Sequence, residues 1–200
     1  MTKFSKIALC AMIIGASAFF TSCNKDDNTP TPVSPTLYQK LGGTTLVADP
    51  RNPGQMIEHG RLSYRSVVDS TITLIVADIV TNAPGNLSTH FAPLVGEVSA
   101  GNTTNLAELS DNLTDFFSFN TGGTNAVNVY SGMNMVTAHK PGTGSGMNAR
   151  MGAKATNANY DKFEGYVGAA AGLNGVTDPA IINDVVTVLE SLRTQIVQAP

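Results

Sequence analysis

An all-α domain is what this sequence predicts, and three observations carry the prediction. Apolar residues recur at three- and four-residue spacings in four stretches, these stretches stop at glycine, asparagine or proline, and no strand-turn-strand punctuation competes with them. The chain has 200 residues, 42% of them hydrophobic and 14% charged, which is enough for one domain with a core and too apolar for a disordered polymer. A formal charge of -3 and the lack of any Lys/Arg run exclude nucleic-acid binding by backbone neutralisation. Without tryptophan a ring-stacking carbohydrate surface is also disfavoured. The two cysteines form neither a disulfide framework nor a C-x-x-C metal pair.

Residues 1–22 predict a processing signal. Lys3 and Lys6 precede an apolar run from Ile7 to Phe20, too short to span a bilayer as a helix, and Thr21-Ser22-Cys23 follows. The small residues before Cys23 resemble a bacterial lipobox, with Phe20 where leucine is usual. That resemblance implies a lipidated Cys23 as the mature N-terminus and an outer-membrane location; a plain secretory signal is the alternative. Asn24-Lys25-Asp26-Asp27 resembles a signal for export to the cell surface. Residues 23–36 read as the lipidated cysteine and a Pro/Thr-rich tether, and residues 37–200 as the folded domain. Loss of two lysines leaves 10 positive against 15 negative residues, so the lipid rather than charge attaches the chain to a membrane.

The helices follow in order. Val68, Ile72, Ile75, Val76 and Ile79 share one face over residues 66–80, ended by Asn82-Ala83-Pro84-Gly85, although so many β-branched residues would also suit a strand. Leu106, Leu109, Leu113, Phe116 and Phe117 form a second face, stopped by Gly122-Gly123. A short helix from a Ser131 N-cap to His139 closes at Pro141-Gly142. Phe163, Tyr166, Val167 and Ala170 mark a fourth helix beginning near Asn159. The last carries Asp178 as N-cap, Pro179 at the first position, and Ile181, Val185, Val188, Leu189, Leu192 and Ile196 on one stripe. Residues 44–65 and 140–158 lack periodicity and predict long loops.

Candidate chemistry is sparse. Gly142, Gly144 and Gly146 alternate, yet no strand precedes them and no G-x-x-x-x-G-K occurs, which excludes a nucleotide loop. No G-x-S-x-G is present, and no free thiol remains after lipidation, so nucleophilic catalysis has no support. Asp111 and Asp115, one turn apart, read as a solvated face. His59, His90 and His139 are too scattered for a zinc site. His139 ends a short helix on the face of Met135 and Val136, where it suits either the last helical carbonyls or a single axial bond to a haem iron.

Leu37-Tyr38-Gln39-Lys40-Leu41-Gly42-Gly43 resembles the L-Y-x-K-L-G-G opening of the truncated haemoglobins, group 1-like members of the globin family. Val67-Val68-Asp69, His90-Phe91, the segment Leu109 to Gly123 and Met135-Val136-Thr137-Ala138-His139 stand in that family's order. The resemblance implies a truncated 2-on-2 helical sandwich with insertions near 44–65 and within 142–158, and haem b as cofactor. It implies His139 as proximal iron ligand, Phe91 packed on the porphyrin, Leu109, Leu113 and Ile72 on the distal side, and Phe116 and Phe117 lining the pocket or an access route. Many family members place a distal tyrosine or glutamine where Ile72 and Leu113 stand here, so a distal wall without a donor is expected, and with it weak oxygen retention. His90 is a candidate second ligand, disfavoured by its turn-like context.

The function implied is a lipid-anchored haem protein that reversibly binds a diatomic gas, oxygen or nitric oxide, more a carrier than an enzyme. One alternative is a nitric oxide dioxygenase or peroxidase-like enzyme drawing on a redox partner. The other is a haem-less surface domain, whose side chains would fill the porphyrin space.

Overall fold

A central helix, α2 (His59–Val80), carries the architecture and packs against α4 (Thr104–Asn120) on one side and α6 (Asn157–Leu173) on another. This computed structural model describes residues 33–199, and the chain from Ser34 onward forms one compact unit. The processing signal 1–22, Cys23 and the tether as far as residue 32 lie outside the described residues. Seven helices and one two-stranded ribbon make up the described chain, so the fold is mainly helical.

The opening motif has a local explanation. Thr36 and Gln39 form a reciprocal capping box around the one-turn helix α1 (Leu37–Lys40). The chain then reverses at Gly42 and Gly43, with φ of 110° and 56°, left-handed conformations that only glycine adopts without strain. That reversal lays Tyr38 against α2 so closely that a Cβ on Gly60 would lie 2.9 Å from the phenol ring. Tyr38 is 1% exposed and donates its hydroxyl to Glu58, which also accepts from Asn125 and Asn128 at 2.8 Å each. Burial pushes the Glu58 carboxyl up, but these hydrogen bonds and the nearby Arg61 outweigh it and hold the group below the usual range. Burial and Glu58 push the Tyr38 phenol up to about 12.

The segment 44–65 corrects the expectation of a long loop. It forms an antiparallel ribbon of β1 (Leu46–Ala48) and β2 (Met56–Glu58), and α2 begins at His59, seven residues before the predicted start at 66. A buried ion pair, Arg65 to Asp49 at 2.6 Å, ties ribbon to helix. The early turns of α2 use Tyr64, Arg65 and the close-packed Gly60 rather than aliphatic residues, which hid them from an aliphatic pattern. Further on, Val68, Ile72 and Ile75 are buried on one face as expected, and the segment is helix, not strand.

A helix not anticipated from sequence, α3 (Ser88–Ser99), spans a stretch broken by Pro93. His90 and Phe91 therefore sit on a helix and not in a turn. The short helix α5 (Met135–Ala138) is capped by Asn134, whose side chain accepts from Thr137, and not by Ser131. Helix α6 starts at a second capping box, Thr156 with Asn159. In α7 (Pro179–Ile196), Asp178 caps as predicted, accepting from the Ala180 N–H at 2.8 Å. The apolar stripe of α7 divides between two clusters, one with Leu37, Tyr38 and Tyr64, the other with Ala155, Tyr160 and Ile196. A third cluster joins Ile75, Leu87 and Tyr166, with Phe91 packed against it.

Candidate functional site

Helix α4 orients itself in a way that its apolar stripe does not predict. Ser110, Thr114 and Ser118, at intervals of four, are the buried residues, and these small side chains allow close approach to α2. Leu109, Leu113, Phe116 and Phe117 are left half-buried, lining an open-sided cavity of about 590 Å³ between α3, α4, α5, α6, α7 and the segments before and after α5. A volume of that size falls in the usual range for a small-molecule or cofactor site. Large apolar side chains are normally packed away from water; here Phe117 also stacks on Tyr64 and Phe116 meets Tyr130 edge-on, and the rest of their surface, with Leu109 and Leu113, lines the cavity.

His139 stands in the wall of this cavity as the C-cap of α5. Its Nδ1 lies 2.9 Å from the carbonyl oxygen of Met135, which also accepts the His139 backbone N–H at 3.2 Å. Nδ1 therefore carries the proton, and Nε2 keeps its lone pair with no hydrogen-bonding partner among the described residues. Burial holds the imidazole below its ordinary pKa, with a smaller contribution from His90, which keeps it neutral and able to ligate near pH 7. A bond to the last helical carbonyl satisfies the purely structural role of a terminal histidine as well. What that role leaves unexplained is the free Nε2 on a cavity wall.

Phe91 lines the same cavity while its ring packs on the Ile75, Leu87 and Tyr166 cluster. Of the seven side chains assigned to a cofactor by resemblance, six line this cavity: His139, Phe91, Leu109, Leu113, Phe116 and Phe117. Ile72 does not; it is 8% exposed within α2, outside the cavity wall. The rotation of α4 by its small-residue face decides this, since it places Leu113 and Phe117 between α2 and the cavity. The wall also holds more polar groups than the sequence suggested: His90, Asn112 and Tyr130 line it, although the Tyr130 hydroxyl is spent on the Met133 carbonyl.

The segment 140–156 closes one side. Its backbone bridges Pro141 to Asn148, Asn148 donates to the Ala138 carbonyl at 2.8 Å, and Arg150 makes a two-pronged contact with Glu97 of α3 at 2.9 and 2.7 Å. Pro93 cannot donate to the Thr89 carbonyl, and Gly152 packs directly on that freed oxygen. Asn148, Arg150, Met151 and Ala155 thereby join the cavity wall. Tyr160, Phe163, Leu189, Leu192 and Ile196 complete it from α6 and α7; their helical spacing was readable as core but not as cavity.

A smaller cavity of about 290 Å³ lies between α2, α6 and α7, and Leu113, Phe117, Phe163 and Leu189 line both. His59, at the start of α2, faces this smaller one. Asp111 and Asp115 do not face each other as an acid pair: Arg51 engages the first at 3.5 Å, and Arg61 engages the second. Among the described residues no three His, Cys, Asp or Glu side chains gather to hold a metal ion alone. No helix among them is long and apolar enough to cross a membrane. No family model matches the chain, and comparison with curated proteins and with solved structures likewise gives no match.

Proposed function

We propose that this chain is a haem-binding, globin-like protein of the truncated 2-on-2 kind, lipid-anchored through Cys23 at the outer membrane, that reversibly binds oxygen or nitric oxide. The observation that carries the reading is His139: a neutral imidazole whose Nδ1–H is held by the Met135 carbonyl and whose Nε2 is free on the wall of a largely apolar cavity of about 590 Å³. One nitrogen donor would suffice for haem, because the porphyrin supplies the iron's other donors, so the lack of a three-ligand cluster among the described residues is compatible with this cofactor.

Haem held there by His139 would supply an iron able to bind a diatomic ligand. The Met135 carbonyl fixes the tautomer and ring orientation of His139 and raises the basicity of Nε2. Phe91, Leu109, Leu113, Phe116 and Phe117 offer flat, apolar surface to a porphyrin and exclude water. Arg150 is the one Lys or Arg side chain in the wall, and with two N–H groups committed to Glu97 it retains donors for a propionate. The haem-less alternative required side chains filling this space, and the cavity weighs against it. Stoichiometric uptake of haem by the full chain, followed by a shift of its absorption on adding carbon monoxide, tests the reading; folded protein that takes up no haem would sink it.

A further inference from the structure

Apolar side chains scattered singly over a surface need no explanation, but grouped ones mark a membrane or protein site. Leu46, Met56, Val127 and Val129 are each more than half exposed, and the fold gathers them. Cross-strand partners share a face, so Leu46, opposite Glu58, and Met56, two residues before it, flank that carboxylate on one side of the ribbon. Glu58 in turn accepts from Asn128, which is fully buried and also reaches the Tyr38 hydroxyl at 3.0 Å. Asn128 is thus held inside while the valines on either side of it lie at the surface, the reverse of the order that water imposes. The surrounding chain is short of charge as well: residues 116–139 contain no Asp, Glu, Lys or Arg.

The place where the chain enters the domain indicates what covers this face. Ser34 opens the compact unit, Thr36 packs on Gly122, and the Tyr38 N–H donates to the Thr121 carbonyl at 3.1 Å, so the entry lies beside the network of Tyr38, Glu58 and Asn128. Residues 24–33 alone separate Cys23 from Ser34, a link that spans about 40 Å at most, roughly one width of a domain this long. Resting on the Cys23 anchor proposed above, and not on haem, we propose that this face lies on the lipid leaflet that holds the anchor, with Leu46, Met56, Val127 and Val129 seated in the boundary between head groups and acyl chains. A formal charge of -3 gives no attraction to anionic head groups, so apolar insertion is the contact left to the domain, and the short link keeps the face at high local concentration over the lipid. The start of α2 is then the end nearer the leaflet. Val80, exposed at the other end of that helix and about 30 Å from His59, stands clear of it.

The chain has no tryptophan, so a single introduced one is a unique fluorophore. The test carries Val129→Trp, Leu46→Trp and, as control, Val80→Trp in the processed, lipidated chain on vesicles of phosphatidylethanolamine and phosphatidylglycerol with plain or brominated acyl chains. The emission ratio between the two vesicles cancels quenching by any bound haem, and mass spectrometry reads the lipid on Cys23. Brominated chains are expected to cut the emission of Val129→Trp and Leu46→Trp about twofold and to leave Val80→Trp unchanged. Two positions on the face keep the test decisive where one variant misfolds. Lipidated chains whose face positions are quenched no more than Val80→Trp overturn the inference while the anchor stands. Emission from the face that shifts to the blue with rising protein concentration, without vesicles, places a second copy there and overturns it too. A chain without lipid on Cys23 overturns both.

Discussion

The Nδ1 of His139 sits 2.9 Å from the carbonyl oxygen of Met135, four residues earlier on the chain, and this contact leaves Nε2 as the ring nitrogen with a free lone pair. It also makes the histidine sensitive to acid. Burial holds its pKa below the ordinary 6.5, so the unfolded chain takes up a proton before the folded one does. The stability contributed by neutral His139 is complete above about pH 6.5 and is lost as pH falls from there toward the lower folded value. Thermal unfolding of the haem-free chain between pH 7.5 and 5.0 is expected to show a decline that His139→Leu makes shallower. Equal slopes in the two proteins contradict the buried, neutral imidazole.

Tyr38 gives a prediction about the scaffold. Its hydroxyl donates to Glu58 and accepts from Asn128 at 3.0 Å, in a network fully enclosed between α1, α2 and the turn after α4. Tyr38→Phe leaves both partners short of a bond and is expected to cost about 1–3 kcal/mol in urea unfolding. Retention of full stability would show that the network is not a stabilising unit.

Gly152 controls the segment that walls the cavity. A methyl group there would overlap the Thr89 carbonyl, so Gly152→Ala forces the segment 140–156 away from α3. Cleavage within 140–156 by a limiting protease is expected to quicken several-fold, with little change in global unfolding, because that segment's other tie to α3, Arg150 to Glu97, is a partly exposed pair of the kind that contributes little. Cleavage no faster than in wild type would mean that the close packing on Thr89 does not hold the segment.

How much of this was legible in the sequence varies with the kind of signal. Helix α7 was readable because its cap, its first-turn proline and its stripe agree, and in the structure they act as read. Helix α3 was hidden by Pro93, which reads as a breaker, although its missing N–H leaves a carbonyl that Gly152 covers from a segment far along the chain. Helix α4 was found, but its facing was not. The strong Leu/Phe stripe suggested the packed side, whereas Ser110, Thr114 and Ser118 form it. That inversion is visible only once α2 is in place. It explains why Leu113 and Phe117 reach the cavity and Ile72, argued from register, does not. The turn expected around His90 was misplaced too, since that residue lies on α3.

The most direct test of the central claim is a haem titration of the full chain and of His139→Ala, each confirmed as helical by circular dichroism and followed in the Soret region. The account predicts a strong Soret band that saturates at one haem per wild-type chain and is lost, or shifted and greatly weakened, in His139→Ala. A folded wild type that stays colourless, or a variant whose band matches wild type in position and affinity, would contradict it.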